Sequence, residues 1–441
     1  MSGMTRRSTL AAGAAMAFGA SSALAQANSA EVAGGFSADG LKAIKSPARE
    51  AIASRDVPGV ITMVWRKGRM VEVQTAGLRD IARELPMSRD AIFGIASMSK
   101  PVTVAAALTL VDQGAIRLED PITKWAPEFA DMRVLRRPDG PLDDTYPAPR
   151  AITIEDLMTH RSGLSYGFLT PGPLGVALMQ KVGMGMESPM SPDAWMKTLA
   201  ALPLAYAPGE RFNYGHSIDV LGFVIGRAAG TSLRQVMREQ LFEPLRMADT
   251  DFWIPPDKRE RAAMVYSSPA VGTFNPITID SWFGAAPAAY TSGGQGLVST
   301  ADDYMTFARM LVRRGEADGR RILKPQTVRL MTTDHTLPAQ RIFGLSAPDW
   351  RSYGFGLGVQ VITDPAANAF GAGRAGAFGW GGAFGGWWQG DPAEDMALLW
   401  LQHTLPAPPG PGGLAAGAMP RIPGAMATVA FQKAVYAALP A

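Results

Sequence analysis

Ser97-Met98-Ser99-Lys100 follows one apolar run, Ala91-Ile-Phe-Gly-Ile-Ala96, and opens another, Val102 to Val111, closed by Gly114. It is the one Ser-x-x-Lys of the 441 residues. The second run reads as a buried helix with glycine as its C-terminal stop. Ser97 then lies at the helix N-terminus with Lys100 one turn on, and i,i+3 spacing puts both on one face. Pro101 is tolerated there because first-turn N–H groups have no intrahelical partner. A serine hydroxyl beside a desolvated amine, at the positive end of a helix dipole, is an activated nucleophile. The same four residues also fit an ordinary helix start with a solvated lysine, and their partners along the chain decide between the two.

A chain of this length with 47% hydrophobic residues can bury a large core, as two domains or one composite one. Residues 1–25 read as a signal peptide. Thr5-Arg6-Arg7-Ser8, a twin-arginine start, precedes the apolar run Leu10 to Leu24, and Ala23-Leu24-Ala25 offers a small-x-small cleavage site before Gln26. Thr9 stands where that route usually has Phe, which keeps the general secretory route open. The run is too short to span a membrane and no later one is long enough, so an exported protein without an integral span is expected, periplasmic or secreted. Cleavage would remove two arginines and no acid, taking the 42 basic and 39 acidic residues to 40 and 39. No basic stripe points to nucleic acid or an anionic membrane. Zero cysteines exclude disulfides, a thiol nucleophile and thiolate metal sites. His160, His216, His335 and His403 never approach metal-ligand spacing, so neither a metal nor a cofactor is expected.

Leu41, Ile44, Ala48 and Ile52 mark one face of an opening helix after Ser37, which Pro47 should break or bend. Val60 to Trp65 and Met70 to Thr75 read as strands of a hairpin around Lys67-Gly68-Arg69. From 120 to 290 helical periodicity alternates with Pro/Gly-rich loops and strand signals are scarce. A helix over 301–314, strands at 355–362, 386–389 and 396–401, a loop over 404–424 and a closing helix at 425–439 follow. Strands, then helices, then strands imply an α/β (α+β) fold: an antiparallel sheet flanked by helices and built from both chain ends, 26–119 with 291–441, around a mainly helical domain at 120–290.

Two further stretches carry chemistry. Tyr214 lies in Pro208-Gly-Glu-Arg-Phe-Asn-Tyr214-Gly-His216, with an apolar element behind it. A phenol is no base at neutral pH unless cations stabilise the phenolate, which Lys100 could do in a tight Ser–Lys–Tyr cluster; a buried structural tyrosine fits the same residues. In Gly376-Ala-Phe-Gly-Trp380-Gly381-Gly382-Ala383 the glycines leave backbone N–H groups accessible as an oxyanion donor, or else mark a tight bend at a sheet edge.

Taken together these stretches resemble the serine β-lactamase and penicillin-binding-protein superfamily, in the branch of class C β-lactamases and family VIII carboxylesterases. Ile154-Glu-Asp-Leu-Met-Thr-His160-Arg-Ser-Gly-Leu164, Ser292-Gly-Gly-Gln-Gly-Leu-Val-Ser-Thr-Ala-Asp-Asp303 and Arg321-Ile-Leu-Lys-Pro-Gln-Thr-Val-Arg-Leu330 fall in the family's order, so the likeness covers nearly all of the chain after residue 25. The resemblance implies that Ser97 is the acylated serine, Lys100 its helix partner and Tyr214 the second-motif tyrosine. It places the backbone N–H groups of Ser97 and Ala383 in an oxyanion hole, and Trp380, Gly381, Gly382 and His216 against substrate. Two departures matter. The family's β-lactamases usually have Asn where His216 stands. Trp380-Gly381-Gly382 replaces their Lys-Thr-Gly, whose lysine helps hold the substrate carboxylate, and looks like the family VIII esterases. Arg374, six residues earlier, is the nearest cation to substitute.

The resemblance therefore implies an exported serine carboxylesterase acting on a small-molecule ester or amide. A β-lactamase or D-alanyl-D-alanine peptidase is the alternative, and a non-catalytic binding protein on the same fold a second one. Natural substrate and oligomeric state are not legible. Gly215-His216-Ser217-Ile218-Asp219 nearly spells the Gly-x-Ser-x-Gly elbow, but Asp219 occupies its last glycine position and Arg211-Phe-Asn, not a buried strand, precedes it. Met179, Met184, Met186, Met190 and Met196, with Phe168 and Trp195, form either an adaptable apolar wall or part of the inserted core.

Overall fold

The computed structural model describes residues 34–340, 352–368, 371–406 and 421–440, so the expected signal peptide lies outside the described residues. Eight strands form one sheet: β1 (Gly59–Arg66), β2 (Arg69–Asp80), β3 (Leu85–Pro86), β4 (Tyr353–Phe355), β5 (Gln360–Ile362), β6 (Phe378–Gly381), β7 (Trp387–Asp391) and β8 (Met396–Gln402). Their order is β4-β5-β6-β7-β8-β1-β2-β3, with every neighbouring pair antiparallel. The first and last parts of the chain meet at the centre, where Val60 faces Gln402 and Val64 faces Leu398. Lys67 and Gly68 join β1 to β2 with φ of 47° and 82°, the two-residue turn whose twist suits a hairpin.

Five helices position the rest: α1 (Ala38–Ala53), α2 (Ser99–Asp112), α3 (Ser217–Ala229), α4 (Ala301–Val312) and α5 (Ala425–Ala437). Alternate side chains of β1 and β8 face opposite ways. Val60, Val64, Leu398 and Trp400 pack with Ile44 and Ala48 of α1 and with Phe431 and Val435 of α5. Ile61, Met63, Leu399 and Leu401 point into the larger core with Phe307 and Tyr304 of α4. Both faces are covered, so β1 is buried throughout. Helix α2 is buried from Ser99 to Leu110 and packs against α3 of the helical part of the chain.

Residues 120–290 hold α3, shorter helices such as Gly172–Lys181 and Pro192–Ala200, and small ladders pairing Arg133–Leu135 with Thr145–Pro147 and Val265–Ser268 with Asn275–Ile277. Thr404–Pro406, expected as loop, instead runs parallel to Val265–Ser268 and ties that section to the end of β8. Two other expectations are corrected. Pro47 does not break α1: it lies on the buried face beside Ile44, Ala48 and Ala51, and packing there outweighs one missing backbone bond. The strand at 355–362 is two strands, β4 and β5, folded back through Gly358 at φ 73°, where an added Cβ would lie 2.6 Å from Val104 of α2.

Glu72 of β2 is buried; Thr62 donates to one oxygen at 3.3 Å, and the other has no partner among the described residues. Burial raises its pKa to about 7, against the opposing charge of Lys45 and the Thr62 bond. The folded state thus holds this proton more tightly than the unfolded chain. Its contribution is full below the ordinary carboxylate range and is lost as pH rises through about 7. Glu72→Gln should therefore raise the thermal midpoint at pH values above 7 and leave it nearly unchanged near the unfolded carboxylate pKa. The ceiling is on the order of 3 kcal/mol. Melting curves of both proteins across that range check it, and a pH-independent difference would contradict it.

Candidate active site

Every residue from Ala91 to Leu110 is buried except Ser97. Ser97 sits in a 3-10 turn, Ala96–Met98, that leads directly into α2, rather than in the first turn of the helix itself. Ala96 takes φ 44°, a left-handed conformation that costs an alanine on the order of 1 kcal/mol. The surroundings fix it: Ile95 donates to the Leu297 carbonyl at 3.0 Å, and the Tyr304 hydroxyl donates to the Met98 carbonyl at 2.9 Å. One hydroxyl is thereby presented to solvent from an otherwise closed core element.

Lys100 is 0% exposed. Its Nζ lies 3.1 Å from Ser97 Oγ and donates to the Gly294 carbonyl at 2.8 Å, with the face of the Tyr214 ring 4.6 Å away. Tyr214 Oη lies 2.8 Å from Ser97 Oγ. The structure thus brings both Lys100 and Tyr214 within hydrogen-bond reach of Ser97 Oγ. The polar surroundings of Lys100 are a hydroxyl, a carbonyl and a π face. The Tyr214 ring is wedged between Trp380, at 5.7 Å, and His160, at 4.7 Å. His160 is itself buried, and burial, then the Lys100 charge, hold its pKa well below the usual histidine range, so it packs as a neutral ring.

The end of β6 closes the site. Trp380 is 7% exposed and packs against Phe355 as well as Tyr214. A Cβ on Gly382 would lie 2.4 Å from the Ile95 carbonyl, so only glycine lets this strand end approach the Ser97 turn. A Cβ on Gly381 would make only an ordinary contact, 3.6 Å from the Gly386 carbonyl. Among the described residues neither the Ser97 N–H nor the Ala383 N–H has an acceptor, and Ala383 is exposed. Arg374 is far from replacing the missing lysine. It precedes the opposite end of β6 and is held by Glu394 at 2.6 Å.

His216, expected against substrate, needs correction. It is 0% exposed, heads α3, and directs Nδ1 to Asp219 Oδ2 at 3.1 Å under the rings of Tyr166 and Trp195. Its ring is support behind the site. Ser217 is equally buried and bonds Ser162 Oγ at 2.8 Å, and no His, Asp or Glu hydrogen-bonds its hydroxyl among the described residues, which removes the elbow-like reading. The methionines divide: Met196 and Trp195 belong to the core, while Met179 and Met184 are exposed. Sequence reasoning missed Asp219, Ser292, Gly294 and Tyr166, which form a hydrogen-bonded layer behind Lys100. A lone acid in the apolar run Ile218 to Ile225 was the signal available. No cluster of three His, Asp or Glu able to hold a metal occurs among the described residues, and none of their helices is long and apolar enough to cross a membrane.

Residues 44–417 match the family described as Beta-lactamase. Protein Rv1367c of Mycobacterium tuberculosis is 45% identical over 361 residues, 81% of this chain and 88% of that protein. Esterase EstB of Burkholderia gladioli is 31% identical over 376 residues, 80% and 88% of the two chains. Among solved structures, EstCE1, described as a hydrolase with promiscuous acyltransferase activity, superposes with a TM-score of 0.74 at 28% identity, covering 90% of this chain and 99% of its own. A mutant simvastatin synthase from Aspergillus terreus gives 0.72 at 26% identity over 93% and 96%.

Proposed function

The chain belongs to the beta-lactamase family, and from that premise we propose that it hydrolyses carboxylic esters through an acyl-enzyme on Ser97. The carrying observation is the Ser97–Lys100–Tyr214 cluster, with its two contacts of 3.1 and 2.8 Å on the serine oxygen. Ser97 Oγ attacks the ester carbonyl and its proton passes to the Lys100–Tyr214 pair. The N–H groups of Ser97 and Ala383, unused among the described residues, receive the developing oxyanion. Collapse breaks the bond to the alcohol, which leaves with the proton. Water then attacks the acyl-enzyme, gives its proton to the same pair and releases the acid and Ser97. Residues 5–25 support an extension of this reading, that the enzyme works after export.

Esters are favoured over β-lactams because nothing at the end of β6 replaces the cation of Lys-Thr-Gly: Trp380 stands there and Arg374 is engaged by Glu394. Losing one charged hydrogen bond of roughly 1.5–3 kcal/mol lowers turnover about ten- to 150-fold, with pocket shape and slow deacylation adding to it. Short-chain p-nitrophenyl esters should be cleaved several orders of magnitude faster than nitrocefin, as measured by kcat/KM on both. Nitrocefin turnover equal to that of the best ester would replace this reading with a β-lactamase.

A further inference from the structure

Asp219 is the only acid in the thirteen residues of α3, it is fully buried, and its hydrogen bonds go to Ser292, Gly294, His216 and Tyr166 rather than to the three reacting side chains. Its carboxylate receives the Ser292 hydroxyl at 2.5 Å, the Gly294 N–H at 2.9 Å, His216 Nδ1 at 3.1 Å and the Tyr166 hydroxyl at 3.3 Å. Gly294 is also the residue whose carbonyl takes the Lys100 ammonium, and the neighbouring Gly293 carbonyl takes the Thr103 hydroxyl at 2.6 Å. The turn Ser292-Gly-Gly-Gln295 is therefore gripped by α3 on one side and by two side chains of α2 on the other. It fits with no room to spare. A Cβ on Gly294 would lie 2.8 Å from Asp219 Oδ1, and one on Gly293 would lie 2.7 Å from the Ile218 carbonyl.

We propose that Asp219 is the positioning residue of this centre: it fixes the turn whose Gly294 carbonyl holds Lys100 against Ser97, and its negative charge biases the proton equilibrium of the Lys100–Tyr214 pair. The proposal rests on Ser97 being the nucleophile. Burial alone would raise the Asp219 pKa, but the His216 contact, then the Lys100 charge and the Ser292 bond, outweigh it and leave the carboxyl below its ordinary range, hence ionised at neutral pH. The other titratable groups facing it are His216 at the start of α3, Tyr166 from the loop before Gly167, and Tyr290 ahead of the turn. Burial pushes both phenols well above their usual range, so they stay neutral. His160 and Tyr214 lie against Lys100 from its other neighbours. An anion near this cluster opposes proton loss from Lys100 and from Tyr214 alike, so its removal moves the activating ionisation to lower pH whichever of them loses the proton.

The test is the pH dependence of kcat and KM on a p-nitrophenyl ester for the full chain and two variants, with thermal melts alongside. Asp219→Asn should lower kcat about 30-fold or more with KM nearly unchanged, and should move the acidic limb of the profile down by about one pH unit. Ser292→Ala loosens the turn but keeps the charge, so kcat should fall while the limb stays in place. A folded Asp219→Asn with wild-type kcat, or with a limb that does not move, overturns the proposal. Should Asp219→Asn fail to fold, Ser292→Ala decides, and wild-type kcat there overturns it. Ser97→Ala run in parallel separates the two claims: an inactive Ser97→Ala beside a wild-type-like Asp219→Asn sinks this inference alone, whereas an active Ser97→Ala sinks the function it rests on.

Discussion

Ser97→Ala is expected to lower kcat/KM on p-nitrophenyl esters by at least about 10⁴-fold, because the bond to the acyl carbon has no other atom from which to form. Stability should barely change. Ser97 is the one partly exposed residue of its buried stretch, Lys100 keeps the Gly294 carbonyl, and Tyr214 keeps its ring contacts. The same substitution should abolish labelling by a fluorophosphonate probe, which reports the nucleophile without needing a good substrate. Ser217→Ala is the matched control: that hydroxyl is sealed against Ser162, so activity should persist at a modest stability loss of about 1 kcal/mol. Turnover surviving in Ser97→Ala, or lost only in Ser217→Ala, would discard the site assignment.

The parts of this protein that could be read from its sequence are those with a period or a fixed spacing. Val60 to Trp65 and its partner show the hairpin because strand pairing and the Lys67-Gly68 turn are local. Ser97 and Lys100 are three residues apart on one element, and their relation survives any packing of the rest. Tyr214 could be placed only through a resemblance, since 117 residues separate it from Ser97 and no local rule brings them within 2.8 Å. His216 was misjudged for the same reason. Its spacing from Tyr214 places it near the site, but the direction of its side chain is set by Asp219, one helical turn on, and a buried carboxylate attracts any nearby donor. In sequence the Ser292-Gly-Gly-Gln295 turn contributes only to the resemblance. Its tight fit between α2 and α3 gives its glycines their meaning. Pro47 and the folded strand at 355–362 show the converse, local signals overruled or refined by packing against the sheet and α2.

Lys100→Met and Tyr214→Phe should each lower kcat by about 10³-fold, and the double variant should be scarcely slower than either single one. The two groups converge on one oxygen, at 3.1 and 2.8 Å, and stand 4.6 Å apart as ammonium over ring. Removing the amine leaves the phenol without the cation that would stabilise its ionised form. Removing the hydroxyl leaves the amine without the partner that orients the serine proton. Either loss disables the same transfer, so the second has little left to remove. In free energy each 10³-fold loss is about 4 kcal/mol, and independent action would predict about 8 for the pair. A combined loss near 4 to 5 kcal/mol, hence a coupling of about 3 to 4, is the signature of a shared step. Methionine fills most of the buried lysine volume, so melting curves should show both proteins folded. Single-turnover acylation, followed by release of p-nitrophenol, locates the defect in the attack of Ser97 rather than in product release. Additive losses in that experiment would mean that Lys100 and Tyr214 serve separate steps, and the proton would then have to be routed through one of them alone.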